Sequence, residues 1–357
     1  MGLKELDHEA FDRSKIYEKM QYKPQPPGYN KPLSWMVQQH VAATNGVHYI
    51  DRIGKLEEYP QFELPVEKVE KGIMLDIGNG WGRWLVAGAN KGYIPIGIDI
   101  RLEFCQTAKE TLKNLNKKGY SIVADLQNLP FDTGVFDLVW SYSVIQHTHK
   151  KRLLKCLEHI NRILKKEGYA FLEFPNKSGI RNRFGPVKEA QKNADDMNSW
   201  DVRYYTIPEY KNIFRNYFTG FEFRNHSFLG IGVLREDLKY VSLKNKILCS
   251  FSLMGSFFTR VIPGLKNISD SIYIKVRKKA DPAISLNDPH AVQNFYEAHR
   301  RDPDDNLNVQ YILRCPISGG PLVLDKDRKR LISEKAGVAF PVENGIPIMI
   351  ASEAVKL

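Results

Sequence analysis

The stretch Leu75-Asp76-Ile77-Gly78-Asn79-Gly80-Trp81-Gly82-Arg83 decides the reading of this chain. An apolar run ends in an acidic residue and passes directly into three alternating glycines. Glycine takes positive φ and lets a ligand approach the backbone without meeting a Cβ atom, which a nucleoside lying across the end of a strand requires. The nearest competitor is the dinucleotide fingerprint G-x-G-x-x-G. Here the third glycine comes one position early, so the pyrophosphate reading loses its spacing.

Three further signals follow in order. Asp99 ends the apolar run Ile94-Pro95-Ile96-Gly97-Ile98, about 20 residues after the glycines, where an acid accepts from ribose hydroxyls. Asp125 closes Ser121-Ile122-Val123-Ala124, and with the backbone N–H of Leu126 it can read an adenine edge. Phe136-Asp137-Leu138-Val139-Trp140-Ser141-Tyr142 is a buried strand with polar residues at its exit, where open parallel sheets bind small ligands. From residue 69 to 175 strands alternate with helical stretches, which predicts right-handed βαβ units.

In these motifs the sequence resembles the class I S-adenosylmethionine-dependent methyltransferases, specifically the methyltransferase type 11 branch. The match runs from about 70 to 175 and continues through Glu158, Arg162-Ile163-Leu164-Lys165-Lys166-Glu167-Gly168 and Phe171-Leu172-Glu173-Phe174-Pro175, read as helix, glycine turn and fifth strand. The resemblance implies a Rossmann-like α/β fold, a seven-stranded mostly parallel sheet with helices on both faces and an antiparallel last strand. It also implies S-adenosyl-L-methionine as cofactor. Asp76, Gly78, Gly80 and Gly82 would surround its methionine half, Asp99 hold its ribose, and Asp125 and Leu126 its adenine, with Asn79, Ile100 and Ser141 as further cofactor-binding residues. Asn79 stands where the family usually has cysteine.

The chain has 357 residues, 43% hydrophobic and 26% charged, so a folded protein with additions to one catalytic domain is expected. The charged start and four scattered cysteines predict a reducing cytoplasmic setting, with peripheral contact to the inner membrane face as the alternative. Residues 1–68 form a proline-broken arm with a helix near Leu33 to Ala43, read either as a lid over the cofactor or as a packing arm behind the sheet. The methyltransferase domain spans 69–279. It includes an insertion at 176–205, a helix begun by Thr206-Ile207-Pro208-Glu209, a sixth strand at Phe221-Glu222-Phe223 and a seventh at Asp270 to Val276. The apolar stretch Ile247 to Phe258 is too short to cross a bilayer and reads as a buried helix, with contact to a membrane or lipid-linked acceptor as the alternative.

Residues 280–308 read as a polar linker, and 309–357 as a second module. Cys315-Pro316-Ile317-Ser318-Gly319-Gly320 and Gly337 to Met349 resemble a Trm112-like zinc ribbon. Three of the four metal positions implied by that resemblance are Ser318, Ser333 and Ala336, with Cys315 the fourth. Structural zinc needs four soft or imidazole ligands, so a metal-free, β-rich module is expected, held by Leu322, Leu324, Leu331, Phe340, Ile346 and Ile348. It would pack on its own catalytic domain or on a second chain.

A sulfonium is an activated methyl donor, so the protein's work is alignment and, for a neutral acceptor, removal of a proton. His147 is the first candidate for general base and Tyr142 the second; a packing or cofactor-contact role for His147 stays open. Asn176, Arg181, Arg183, Tyr204 and Tyr205 are candidate acceptor contacts. The net charge of +11, with a basic cluster from Lys177 to Lys192, suits a phosphate or carboxylate on the acceptor or a plain solvated face. The favoured activity is methyl transfer to oxygen or nitrogen of a small molecule such as a sugar, lipid-linked glycan or secondary metabolite. A tRNA wobble-uridine methyltransferase and a non-catalytic scaffold are the alternatives.

Overall fold

The computed structural model describes residues 23–45, 49, 52–184, 202–228, 234–240, 246, 250, 253–255, 257–259, 262–279, 289–301 and 306–357. The apolar runs of the sequence become strands β1 (Gly72–Ile77), β2 (Tyr93–Asp99), β3 (Tyr120–Ala124), β4 (Phe136–Ser141) and β5 (Leu164–Pro175). β6 (Phe218–Ser227) and β7 (Ser271–Lys278) complete the catalytic part in the spatial order β6-β7-β5-β4-β1-β2-β3. β1 to β5 run parallel, while β7 lies antiparallel between β5 and β6.

Helices cover the sheet. α1 (Trp35–Asn45), α2 (Arg83–Asn90), α3 (Leu102–Asn114) and α4 (Lys150–Ile163) precede or cross between strands. α5 (Ile180–Phe184) and α6 (Ile207–Phe214) follow β5. The expected capping box opens α6: the Thr206 hydroxyl accepts from the Glu209 backbone N–H, and the Glu209 carboxylate accepts from the Thr206 N–H. No glycine turn separates α4 from β5. Helix gives way to strand at Leu164, and Lys165 to Gly168 lie within β5, where the register against β4 shifts. At this irregularity Asp137 of β4 pairs with Lys165 at 2.7 Å.

The arm packs against the sheet. Leu33, Val37, Val41, Tyr59, Phe62 and Leu64 bury against Trp84, Trp140 and Tyr273 on one face of the sheet. The end of α1 meanwhile reaches the glycine turn, where Asn45 Oδ1 accepts from Trp81 Nε1 at 3.0 Å and from Arg83 at 3.2 Å. Residues 1–22 of the arm lie outside the described residues, as do 185–201 of the insertion.

The linker segment is not simply polar chain. Residues Pro289–Arg301 form α7, whose Ala291, Phe295 and His299 make a buried stripe at i, i+4, i+8. Phe295 and His299 pack on Tyr120 of β3, and the Tyr120 hydroxyl meets His299 Nδ1 at 2.6 Å.

The C-terminal module continues the sheet. β8 (Val323–Leu324), β9 (Arg330–Ser333), β10 (Val338–Glu343), β11 (Ile346–Met349) and β12 (Val355–Lys356) form small antiparallel pairs, and β11 adds parallel to β3 with Ile348 opposite Val123. The module therefore sits on its own catalytic sheet. Leu331, Phe340, Ile346 and Ile348 are buried as expected, while Leu322 and Leu324 are only partly covered. At the former metal positions Ser318 Oγ and Ser333 Oγ lie 3.3 Å apart, and the Ser318 N–H faces Cys315 Sγ at 3.4 Å. Two ligand positions thus hold a hydroxyl pair. Among the described residues, no three His, Cys, Asp or Glu side chains gather as a metal site.

Candidate active site

The glycine turn follows β1 as Gly78, Gly80 and Gly82 at φ +80°, +50° and +95°. Gly78 is the most constrained of the three, because a Cβ there would stand 2.3 Å from Val144 Cγ2. That closeness brings the exit of β4 against the turn. The N–H groups of Gly78 and Asn79 both donate to Ile98 O, tying the turn to β2. Asn79, in place of the usual cysteine, is buried; its amide donates to Gly80 O and accepts from Ser121 Oγ of β3.

Three carboxylates ring this turn. Asp76 is fully buried, and neither of its oxygens accepts a hydrogen bond from the described residues. Burial pushes its carboxyl up to about 8; the nearby Arg83 cation opposes the rise and Asp99 adds to it. Asp99 accepts from the Gly80 N–H at 3.2 Å and from the Arg101 N–H at 3.1 Å, yet burial still raises it to about 6. Asp125, at the end of β3, is half-buried and accepts from the Gln127 N–H at 2.9 Å. Ile100 and Leu126 follow these acids at the same rim, and Ser141 is buried with its hydroxyl donating to Ile77 O.

Glu173 and Arg83 were not expected as site residues. Glu173 Oε2 accepts from both the N–H and the hydroxyl of Ser143, holding that non-glycine residue at φ +56° beside the end of β4. Burial lifts its carboxyl to about 7. A lone charge in the otherwise apolar second half of β5, Tyr169 to Pro175, is the signal that would have found it. Arg83, the first residue of α2, lays its guanidinium 4.6 Å from the Tyr142 ring centroid.

Tyr142 and His147 part company. Tyr142 is buried next to the turn, and its hydroxyl meets His226 Nε2 at 2.8 Å. His147 ends a short 3₁₀ turn from Ile145, half-buried, with its carbonyl facing Arg203. Of the acceptor candidates, Asn176 is wholly buried and spent on structure, since its amide donates to Asn267 O and Ser269 O. Arg181 and Arg183 project as exposed residues of α5, while Tyr204 and Tyr205 are half-buried. Tyr205 packs edge-on against Tyr210.

A cavity of about 920 Å³ opens beside Tyr142 on the same face of the sheet. Trp84, Phe171 and Tyr273 supply aromatic wall, and His226, Arg224 and Lys266 supply polar groups. Leu253 and Phe257 also line it. Much of the apolar stretch 247–258 lies outside the described residues, but Met254, Phe257 and Phe258 are exposed. The expected buried helix is therefore not what these side chains show: Phe257 lines the cavity, and Met254 and Phe258 are exposed. Lys188 and Lys192 of the basic cluster also lie outside the described residues.

Residues 75–172 match the family model described as Methyltransferase domain, from within β1 to within β5, and include Asp76, Asp99 and Asp125 but not Glu173. Residues 311–345 match the model described as Trm112p-like protein. The chain contains a methyltransferase domain and a Trm112p-like module. Over 43 residues, 12% of this chain, the module is 56% identical to a UPF0434 protein of Pseudomonas paraeruginosa and covers 70% of that protein. Among solved structures, similarity extends to a chain from the complex of the Haloferax volcanii Trm112 methyltransferase activator with a methyltransferase. There the identity is 17% and the TM-score 0.43, over 70% of this chain and 96% of that one. Phosphoethanolamine N-methyltransferase 2 of Haemonchus contortus, solved with S-adenosylhomocysteine, matches at 16% identity and TM-score 0.45, over 68% of this methyltransferase and 61% of its own chain. Among the described residues, no helix is long and apolar enough to cross a membrane.

Proposed function

We propose that this methyltransferase transfers a methyl group to an oxygen or nitrogen of a small molecule, with the cofactor held on the rim formed by the ends of β1, β2 and β3. The observation that carries the reading is the unpartnered, buried Asp76 carboxylate beside a turn that only glycines can make. A buried carboxylate without partners is costly unless a cation reaches it. Its place fits a ligand with a positively charged methionine half, with Gly78, Asn79, Gly80 and Gly82 presenting backbone, Asp99 and Ile100 the ribose contact, and Asp125 and Leu126 the adenine contact. When bound, S-adenosylmethionine supplies an activated methyl.

The protein's own residues orient and desolvate. Ser143, fixed by Glu173, closes the end of β4, and α1 closes over the turn through Asn45. The aromatic cavity beside Tyr142 has the volume of a small-molecule site rather than of a groove for nucleic acid. The test is incubation with methyl-labelled S-adenosylmethionine and separate polar, lipid and RNA fractions of a cell extract. Label is expected in the polar or lipid fraction; label in RNA alone would replace this reading with tRNA modification.

Gly78→Ala is expected to lower cofactor affinity at least tenfold and to lower Tm. The alanine would need a positive φ costing about 1–2 kcal/mol, and its Cβ would displace Val144. Calorimetric titration and a thermal melt check this; unchanged values would remove the turn from the site.

A further inference from the structure

Resting on the methyl-transfer reading, the geometry points to Tyr142 and His226 as the proton-accepting pair for a neutral hydroxyl acceptor with a flat apolar body, bound in the aromatic cavity beside them. His226 and Tyr142 come from sequence positions 84 apart, yet the phenolic oxygen and Nε2 stand at hydrogen-bonding distance, 2.8 Å. Tyr142 is the first residue beyond β4 and lies next to the segment that closes on Gly78. His226 lies on β6 and lines the cavity, with its ring 4.8 Å from that of Tyr273. Tyr142 thus stands between the segment that closes on Gly78 and the cavity walls His226, Trp84 and Tyr273, with its ring 5.2 Å from that of Trp84.

The surroundings hold the imidazole in its neutral form. Burial first, and the Arg83 cation second, push the His226 imidazole down to about 3, while Asp237 opposes the shift. The ring is then neutral at any working pH, and with its proton on Nδ1 it offers Nε2 to the Tyr142 hydroxyl. The charged groups facing the pair are Arg83 from α2, Glu173 from β5, and Asp237 from the turn at residues 235–239. Asp237 is itself anchored, accepting from the Tyr49 hydroxyl at 2.7 Å. The walls select the acceptor's body: Trp84, Phe171 and Tyr273 offer flat apolar faces.

The step balances. The acceptor oxygen forms its bond to the methyl carbon as the sulfur–methyl bond breaks, and the electron pair of that bond stays on sulfur, turning the sulfonium into a neutral thioether. The acceptor's proton passes to the Tyr142 oxygen while the phenolic proton passes to His226 Nε2. The imidazolium so formed, disfavoured by burial, returns its proton to water through the cavity. His147, half-buried and away from this cavity's walls, is not needed for it.

Two measurements on the full chain test the assignment. Nitrogen NMR of the ligand-free protein should show His226 protonated on Nδ1 and neutral down to pH 5; a proton on Nε2 would make Tyr142 the acceptor of that hydrogen bond and overturn the proposal. In the labelled-methyl assay, His226→Gln and the isosteric Tyr142→Phe should each lower transfer at pH 7 about 100-fold, within the range of general-base effects. Both should bind S-adenosylmethionine with unchanged affinity. Transfer within threefold of the unsubstituted protein in Tyr142→Phe, or a large loss in His147→Gln without one in His226→Gln, would refute it. Failure of the unsubstituted chain to bind the cofactor would instead strike the methyl-transfer reading, since the NMR result stands without it.

Discussion

Asp76→Asn is expected to weaken S-adenosylmethionine binding about 100-fold, about 2.7 kcal/mol, with the fold retained. The carboxylate is fully buried and accepts no hydrogen bond from the described residues, so its charge has no counterpart in the chain apart from the Arg83 field. Burial therefore holds its carboxyl near 8, and at pH 7 the ligand-free protein keeps a proton there. A cation arriving at Asp76 favours the ionised form and expels that proton. Binding at pH 7 should release close to one more proton from the unsubstituted chain than from the Asn variant, seen as a different dependence of calorimetric heat on buffer ionisation enthalpy. Comparing the two chains isolates Asp76 from Glu173 and Asp99, whose carboxyls are also raised.

The same shift carries a stability sign. The folded pKa lies above the unfolded one, so the folded state binds more protons between about 4 and 8, and stability falls as pH rises through that window. Four histidines held below their usual range by burial, His40, His159, His226 and His299, act in the opposite sense, so the test is the difference between the two chains: relative to Asp76→Asn, the ligand-free unsubstituted protein should lose melting temperature from pH 5 to 8. Equal affinities and equal proton counts for the two chains would show that Asp76 does not meet the cofactor.

Much of this site was legible because its determinants are local. Positive φ at Gly78, Gly80 and Gly82, and acids placed at the ends of β1, β2 and β3, are written in contiguous residues with strand periodicity on one side. Glu173, Arg83 and His226 were not legible in that way. Their roles come from long-range placement: Glu173 reaches Ser143 across 30 positions, and His226 reaches Tyr142 only because β7 brings β6 beside β5 in antiparallel order. His147 is the reverse case. A histidine after β4 is conspicuous in sequence, but the 3₁₀ turn at Ile145 sets it apart from the cavity that Tyr142 adjoins. The linker helix α7 was hidden for a third reason: flanking Asp-Pro pairs outweigh a stripe of only three buried residues, and tertiary packing on Tyr120 settles the helix.

Ending the chain at residue 308 is expected to abolish recovery of soluble, monomeric protein. β3 would become an edge strand, presenting unpaired N–H and C=O groups along a fully buried apolar run. The seam is more than a strand pairing. Ile346, Ile348 and Ile350 bury with Cys105 and Val123, and the Asp132 N–H donates to Ile312 O while the Arg314 N–H donates to Pro130 O. Arg314 also pairs with Asp132, and Lys109 donates to Asn344 O. Each fully buried isoleucine contributes about 1.5–3 kcal/mol, so three of them alone approach the 5–15 kcal/mol that typically separates folded from unfolded domains. A metal would ordinarily hold so small a ribbon together, but here Ser318 and Ser333 meet as hydroxyls, and the attachment to β3 supplies the cross-bracing from outside the module. Supplying residues 309–357 as a separate chain should restore solubility in part, since the covalent link contributes effective concentration and not the contacts themselves. A truncated chain that stays monomeric, with an unchanged Tm by calorimetry, would show that the catalytic sheet closes its own edge and that the module serves another purpose.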